Sequence, residues 1–246
     1  MKKGNPKSKN SLNYVYGRLP SLNCIDVSEV KNAYLQHNFS DKKILEMLSR
    51  KGINPKYVDL DSLNRMSNGG NHQGIIVETV PHEYSSLEEI IKSSKGKKQP
   101  LILILDEIED PQNFGAILRS ADAFGVDGVV IKNNNQVPLN WTVAKVSTGA
   151  IEYVKVAQVA NLNNAIRVLK DNGFWIYAAD GSGDKSYEKL DYSGSVALIV
   201  GSEGRGISDL TMKNSDFIIK IPMYGHVNSL NVSVSTGILL SRIRNK

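Results

Sequence analysis

The pattern of apolar and polar residues changes character near residue 100. Before it, short apolar runs between polar loops predict strands over 30–36, 56–59 and 74–80 and a helix capped by Asp41. After it, continuous apolar runs alternate with amphipathic segments, which is typical of a parallel sheet covered by helices on both faces. Strands are predicted over 101–105, 128–131, 174–179, 195–200 and 217–221, with helices over 113–124, 162–172 and after Asn231. The chain is expected to be an α/β protein with a mostly parallel C-terminal sheet.

The same pattern predicts four segments along the chain. Residues 1–11 form a basic tail with four lysines and no acidic residue, which is expected to be disordered and to contact RNA or merely aid solubility. Residues 12–80 form a small α/β domain. Residues 81–97 are interpreted as a linker, because the stretch before Pro100 is polar and basic. Residues 98–246 form the larger α/β domain.

Composition narrows the class of protein. The chain has 246 residues and a formal net charge of +5, which indicates only a weak preference for a polyanionic partner. With a single cysteine, it has no disulfide framework. The four histidines lack metal-ligand spacing, and we expect no metal site. Neither a signal peptide nor an apolar run of membrane-spanning length is visible. These features predict a soluble protein of the cytoplasm.

Three unusual polar stretches follow predicted strands, where ligands bind in open parallel sheets. In the first, Asn113 stands at a predicted helix start and Arg119 lies among apolar residues. Six residues separate the two, so they lie on opposite sides of the helix unless it begins after Asn113. An arginine in such surroundings needs an anionic partner, which could be an RNA phosphate or a structural carboxylate.

The second stretch contains Gly201, Glu203, Gly204 and Gly206, followed by Ser208 as a predicted helix cap. Glycines after a strand permit close approach of the backbone to a ligand, although this is neither a dinucleotide-binding fingerprint nor a Walker A loop.

The third stretch runs from Pro222 through Gly225 to a polar cluster at the start of the last helix, Asn228, Ser229 and Asn231. It could be a ligand site or simply a well-capped C-terminal helix. In the N-terminal domain, the Gly- and Asn-rich loop 67–73 is either an RNA contact or an ordinary turn.

Taken in order, the three stretches resemble the SpoU (TrmH) family of RNA ribose 2′-O-methyltransferases, of the SPOUT superfamily. The similarity is carried by Asp110-Pro-x-Asn113-x-Gly115…Arg119, by Gly201-x-Glu203-Gly204-x-Gly206, and by Ile221-Pro222…Asn228-Ser229-Leu230-Asn231. The segment with Tyr16-Gly17 and Asn71-His72-Gln73-Gly74 resembles the substrate-binding domain of many members. The chain is most similar to enzymes that methylate guanosine in bacterial 23S rRNA.

The resemblance implies a C-terminal trefoil knot, a homodimer and S-adenosylmethionine bound in the knot. General topology rules would have argued against a knot. By resemblance, the cofactor is held around Gly201, Ile221 and Leu230, with Thr148 and Gly149 lining the same cavity.

The catalytic candidates implied by the same resemblance are Asn113, Arg119, Glu203, Ser229 and Asn231. Asn113, Ser229 and Asn231 would orient the ribose hydroxyl and a nearby phosphate, and Glu203 would hold Asn113 or Arg119. A guanidinium donates hydrogen bonds and accepts none, so Arg119 suits a phosphate contact better than the role of a base.

Other functions remain open at this stage. The same motifs serve tRNA methylation and antibiotic-resistance rRNA methylation, although the separate N-terminal domain favours rRNA. A non-catalytic rRNA-binding or assembly protein is a rival of another class, against which Arg119, Glu203 and Asn231 argue. A nucleotide-using α/β enzyme would require a phosphate-binding loop that the sequence lacks.

Overall fold

A computed structural model describes residues 13–245, so the basic tail predicted at 1–11 lies outside the described residues. The chain divides into two compact units. The first comprises the chain as far as His82 together with Leu139–Trp141, and the second comprises Glu83–Pro138 and the chain from Thr142 onward. Within residues 13–245, no helix is long and apolar enough to cross a membrane.

The first unit contains a four-stranded sheet in the order β1-β4-β2-β3. Its strands are β1 (Asn13–Tyr16), β2 (Val30–Gln36), β3 (Lys56–Val58) and β4 (Ile75–Thr79), and its helices are α1 (Arg18–Val27), α2 (Lys42–Arg50) and α3 (Leu60–Met66). The strands β2, β3 and β4 and the helix α2 lie where the sequence predicts them. The elements β1, α1 and α3 were not predicted, because each is short or lacks a clear apolar period.

One face of this sheet carries the core of the first unit. Asp41 caps α2 by accepting a hydrogen bond from the backbone N–H of Ile44 at 3.3 Å. Cys24 on α1 is fully buried in this core, and burial raises the pKa of its thiol to about 11. The buried side chains that pack here include Val15, Cys24, Ile25, Ala33, Leu35, Ile44, Leu48, Ile75 and Val77.

The second unit contains a seven-stranded sheet in the order β7-β6-β5-β10-β8-β11-β9. Every pairing in it is parallel, which confirms the α/β class and the parallel C-terminal sheet. The strands are β5 (Leu101–Asp106), β6 (Gly128–Lys132), β7 (Val156–Val159), β8 (Phe174–Ala179), β9 (Lys185–Ser186), β10 (Ser195–Gly201) and β11 (Phe217–Lys220). The helices are α4 (Leu87–Ser94), α5 (Pro111–Ala123), α6 (Trp141–Ser147, from Thr142 onward in this unit), α7 (Leu162–Asp171), α8 (Asp209–Lys213) and α9 (Val232–Arg244).

The linker predicted over 81–97 needs a correction, because most of it belongs to the second unit. Ser86 and Glu89 form a reciprocal capping box that begins α4. Leu87, Ile90 and Ile91 are buried in the core of the unit. The burial of these apolar residues therefore makes the segment part of the second unit, although a polar, basic stretch follows them.

Candidate active site

The carboxyl ends of four adjacent strands meet at one edge of the seven-stranded sheet. Gly201 at the end of β10 pairs in register with Asp106 at the end of β5. On the other side, Val200 pairs with Ala179 of β8, and Ala179 pairs with Ile219 of β11. The three motif stretches follow β5, β10 and β11, so the sheet brings them together as the sequence predicts.

The first stretch forms the start of α5. Asp110 caps the helix by accepting a hydrogen bond from the backbone N–H of Gln112 at 3.0 Å, and Pro111 occupies the first helical position. The helix therefore begins before Asn113, whereas the sequence predicted a start at residue 113. Asn113 is buried and Arg119 is exposed. The six-residue separation thus places the two side chains about 120° apart around the helix axis, so they point in different directions.

Asn113, Glu203 and Asn231 form one hydrogen-bonded cluster, which we call the motif triangle. The Nδ2 group of Asn113 donates to Glu203 Oε1 at 3.3 Å, and Asn231 Nδ2 donates to Asn113 Oδ1 at 2.8 Å. Asn231 Nδ2 also donates to Glu203 Oε1, which accepts a further bond from the backbone N–H of Val232 at 3.4 Å. Glu203 therefore holds both amides and the start of α9 through one carboxylate oxygen.

Asn231 has a second task as the cap of α9. Its Oδ1 atom accepts hydrogen bonds from the backbone N–H groups of Ser233 at 3.0 Å and Val234 at 3.4 Å. The helix-cap interpretation and the ligand-site interpretation of this residue are therefore compatible, since different atoms of one side chain serve the two purposes.

The glycine loop after β10 is folded tightly on itself. A Cβ at Gly201 would lie 2.2 Å from the carbonyl carbon of Gly206, and Gly206 has a left-handed φ of 68°. Ser208 occupies the N-cap position of α8, but its side chain caps no helix N–H, contrary to the prediction. Instead, its hydroxyl and backbone N–H both donate to Asp106, a buried carboxylate that attracts these donors away from the helix end.

Two cavities open beside the motif triangle. The strand-end cavity, of about 260 Å³, lies beyond β8, β10 and β11, and the helix-start cavity, of about 250 Å³, lies beside the start of α5. Both include Ser202, Glu203 and Val232 in their walls, so they are neighbours. The strand-end cavity is lined further by the loop after β8 and by the third stretch, including Asp180, Gly201, Gly206, Ile219, Ile221, Met223, Ser229, Leu230 and Leu239.

Three of the predicted cofactor residues, Gly201, Ile221 and Leu230, line the strand-end cavity, and Ser229 lines it too. Thr148 and Gly149 line neither cavity, so their contact with the cofactor stays a prediction. They form a left-handed turn after α6, with φ values of 50° and 92°. This turn leads into a short 3₁₀ helix, Ala150–Glu152, that packs against α5.

Arg119 lines neither cavity. Among residues 13–245, no hydrogen bond or ion pair holds its guanidinium, so the structural carboxylate considered as a partner from the sequence is absent from the described residues. Its side chain is available to a molecule outside the fold.

The charges around the cavities have a definite arrangement. Among the described residues, Asp180 and Glu203 are the only charged side chains in the wall of the strand-end cavity, and both are acidic. In the helix-start cavity, Glu107 binds Lys132 at 2.7 Å and Arg205 at 3.3 Å. Hydrogen bonds from Lys132 and Asn135 lower the pKa of the Glu107 carboxyl. The strand-end cavity therefore favours a cationic ligand.

The sequence did not predict Asp180 or Met223 as part of the site. Both line the strand-end cavity. Asp180 directly follows β8, and Met223 lies near the end of β11. The loop after β8 carries no motif, so its position at the carboxyl end of a predicted strand was the one signal that could have identified Asp180.

Comparisons with known proteins agree with this geometry. A family model described as the SpoU rRNA Methylase family matches residues 100–241, and one described as RNA 2′-O ribose methyltransferase substrate binding matches residues 14–85. YacO of Bacillus subtilis (strain 168), named for the TrmH family of tRNA/rRNA methyltransferases, is 41% identical over 206 residues, covering 83% of this chain and 82% of YacO. A Staphylococcus aureus (strain COL) protein named for the same family is 48% identical over 176 residues, covering 71% of each chain.

Solved structures share the fold. An rRNA methyltransferase from Sinorhizobium meliloti, crystallised with AdoMet, matches with a TM-score of 0.64 and 23% identity, covering 94% of this chain and 86% of that chain. The A. aeolicus TrmH/SpoU tRNA modifying enzyme matches with a TM-score of 0.56 and 32% identity, covering 65% of this chain and 79% of that chain. With a family model matched over more than half of its length, the chain belongs to the SpoU rRNA methylase family and is an RNA methyltransferase.

Proposed function

We propose that the protein transfers a methyl group from S-adenosylmethionine to a ribose 2′-hydroxyl of RNA, and that the target is a guanosine of 23S rRNA. The observation that supports this most strongly is the pair of cavities that share the wall formed by Ser202, Glu203 and Val232. A transfer between two substrates needs two neighbouring sites whose reactive atoms can approach across a common wall. Glu203 of the motif triangle belongs to that wall, Asn113 lines the helix-start cavity, and Asn231, which lines neither cavity, is hydrogen-bonded to both of these residues.

The strand-end cavity fits S-adenosylmethionine. It combines apolar side chains suited to a flat base, such as Ile219 and Ile221, with two carboxylates, and none of the residues 13–245 places a basic side chain in its wall. The cofactor is cationic at its sulfonium, and a carboxylate nearby favours that charge. When bound there, S-adenosylmethionine supplies an electrophilic methyl group on sulfur.

The helix-start cavity suits the acceptor nucleotide. Asn113 lies in its wall and is fixed by Glu203 and Asn231, so its amide has little freedom to rotate. A fixed amide can hold a ribose hydroxyl at the geometry that in-line attack requires, and well-oriented reactants reach effective molarities on the order of 10⁵ M or more. Positioning by neutral amides is therefore the main catalytic contribution that we assign to the triangle.

Arg119 and the first unit complete the proposal. The exposed guanidinium of Arg119 can bind an RNA phosphate in bidentate fashion. The segment matched by the substrate-binding family model supports RNA binding by the first unit. We further propose that the protein acts as a homodimer and, because its RNA and cofactor are found there, in the cytoplasm.

A methylation assay tests the proposal. Purified protein is incubated with methyl-labelled S-adenosylmethionine and with rRNA or tRNA from cells that lack the protein, and the RNA is digested to nucleosides for mass spectrometry. The proposal predicts labelled 2′-O-methylguanosine in 23S rRNA. Label in tRNA alone would favour the alternative suggested by the similarity to the A. aeolicus tRNA modifying enzyme. Absence of label from every RNA would contradict the proposal.

A further inference from the structure

Asp180 is a cavity residue that neither the sequence motifs nor the proposed catalytic roles explain. It follows β8 directly, and its backbone N–H donates to the carbonyl of Ile219 on β11 at 2.9 Å. Its side chain lines the strand-end cavity but not the helix-start cavity. Asp180 therefore faces the space that we assign to the cofactor, away from the space assigned to RNA.

The carboxylate of Asp180 is held with one oxygen occupied and one oxygen open. Oδ1 accepts hydrogen bonds from the backbone N–H of Ser182 at 2.9 Å and from its hydroxyl at 2.6 Å. Oδ2 accepts no hydrogen bond from any residue in 13–245. It faces Gly206, where an added Cβ would lie 3.3 Å from it. Because Gly206 has no side chain, the space beside Oδ2 stays open. The two hydrogen bonds from Ser182 to Oδ1 hold the carboxylate in one orientation.

We propose that Asp180 is a cofactor-binding residue, which accepts a hydrogen bond from a ribose hydroxyl of the adenosyl group through Oδ2. This inference rests on the proposed function. A carboxylate that binds ribose hydroxyls is an established solution in other nucleotide-binding folds. The sulfonium has to lie near the wall shared with the helix-start cavity. Because Asp180 lines the strand-end cavity and not the helix-start cavity, we assign it to another part of the cofactor.

The position of Asp180 favours the ribose over the amino-acid ammonium group. Its backbone N–H donates a hydrogen bond to the carbonyl of Ile219, a residue that supplies part of the apolar lining suited to the adenine base. The ribose is bonded directly to that base, so a carboxylate beside the base-lining strand meets the sugar first. The ammonium group lies at the far end of the methionine portion.

Isothermal titration calorimetry with two ligands tests the assignment. S-adenosylhomocysteine carries both the ribose and the ammonium group, whereas 5′-methylthioadenosine carries the ribose and no amino acid. The variant Asp180→Asn retains an oxygen that can accept both bonds from Ser182 and replaces only the open oxygen by a donor. The control is Asp184→Asn, an exposed carboxylate of the same loop that lines neither cavity.

We expect Asp180→Asn to weaken both ligands by a similar factor, about tenfold or more, as for the loss of a hydrogen bond to a charged group. Asp184→Asn should bind both ligands as the wild type does. Weakening of S-adenosylhomocysteine alone would assign Asp180 to the ammonium group and overturn the inference. Unchanged binding of both ligands would overturn it as well. Failure of the wild type to bind either ligand would instead contradict the proposed function.

Discussion

At the scale of single residues, Asn231 connects the stability of the protein with its proposed chemistry. Its Oδ1 atom caps α9, while its Nδ2 group binds Asn113 and Glu203. Replacement by alanine removes both functions at once. The two effects differ in size, however, and a second capping asparagine in the same unit makes it possible to separate them.

We expect Asn231→Ala to lose about 1 kcal/mol of folding free energy, the usual cost of a lost cap. Its methylation rate should fall by about a hundredfold or more, because Asn113 loses one of its two fixed partners. The matched control is Asn161→Ala, since Asn161 caps α7 by accepting bonds from Asn163 and Asn164 at 2.8 and 3.2 Å. Equal activity losses in both variants, measured beside their melting temperatures, would remove Asn231 from the site.

Arg119 gives a second prediction at this scale. Lysine keeps the positive charge but loses the paired donors of the guanidinium. Arg119→Lys should therefore methylate RNA at least about tenfold more slowly, with weaker RNA binding and unchanged affinity for S-adenosylhomocysteine.

Arg167→Lys, at an exposed position on α7, is the control for Arg119→Lys and should behave as the wild type. Full activity of Arg119→Lys would contradict the phosphate contact, and a loss of cofactor affinity would indicate a role at the other site.

The sequence was sufficient to identify the motif triangle, because each member belongs to a motif whose order and spacing are specific. It was insufficient for Asp180, a single aspartate in a loop without a motif. It did not determine the position of Thr148 and Gly149, since a short Thr-Gly-Ala segment is compatible with many turns. In the structure they precede a 3₁₀ helix that packs against α5, and they do not line the cavity, so their role stays a prediction.

At the scale of elements, the glycine loop after β10 determines the shape of the strand-end cavity. Gly201→Ala would place a Cβ 2.2 Å from the backbone of Gly206, which cannot move without opening the loop. We expect this variant to lose measurable binding of S-adenosylhomocysteine in calorimetry and to melt several degrees lower.

The control for the loop is Gly204→Ala. A Cβ at Gly204 meets no atom within 4 Å among the described residues, so cofactor binding and melting temperature should stay as in the wild type. Normal binding of S-adenosylhomocysteine by Gly201→Ala would contradict the claim that the glycine loop after β10 shapes the cofactor cavity.

Element boundaries also show what periodicity can and cannot predict. The apolar strands β5, β6, β8 and β10 were predicted closely, because continuous apolar runs leave few alternatives. The start of α5 was predicted at residue 113, two residues after the observed start at Pro111, because an apolar period does not locate the first turn of a helix. Since α5 includes both Asn113 and Arg119, helix geometry fixes the angle between their side chains.

At the scale of the whole molecule, the boundary between the units leads to a prediction about fragments. A fragment that begins at Glu83 retains α4, whose Leu87, Ile90 and Ile91 are buried. A fragment that begins at Lys98 exposes the surface that these side chains cover, at a cost of about 1.5–3 kcal/mol for each buried side chain.

The longer fragment should therefore bind S-adenosylhomocysteine in calorimetry and methylate RNA poorly, because it lacks the first unit. The shorter one should melt at a clearly lower temperature or fail to fold. Equal melting temperatures of the two fragments would show that α4 is dispensable and that the predicted linker was the better description.

The trefoil knot implied by the family resemblance stays a prediction.

The most direct test of the central claim is a map of ribose methylation in RNA from cells with and without this protein. A 2′-O-methylated ribose has no free 2′-hydroxyl, so alkali does not cleave the bond on its 3′ side, and sequencing of the fragments locates each modified nucleotide as a gap in the cleavage pattern. We expect one guanosine of 23S rRNA whose methylation disappears without the protein, returns with the wild-type chain and does not return with Asn231→Ala. An unchanged map, or full restoration by Asn231→Ala, would contradict this expectation.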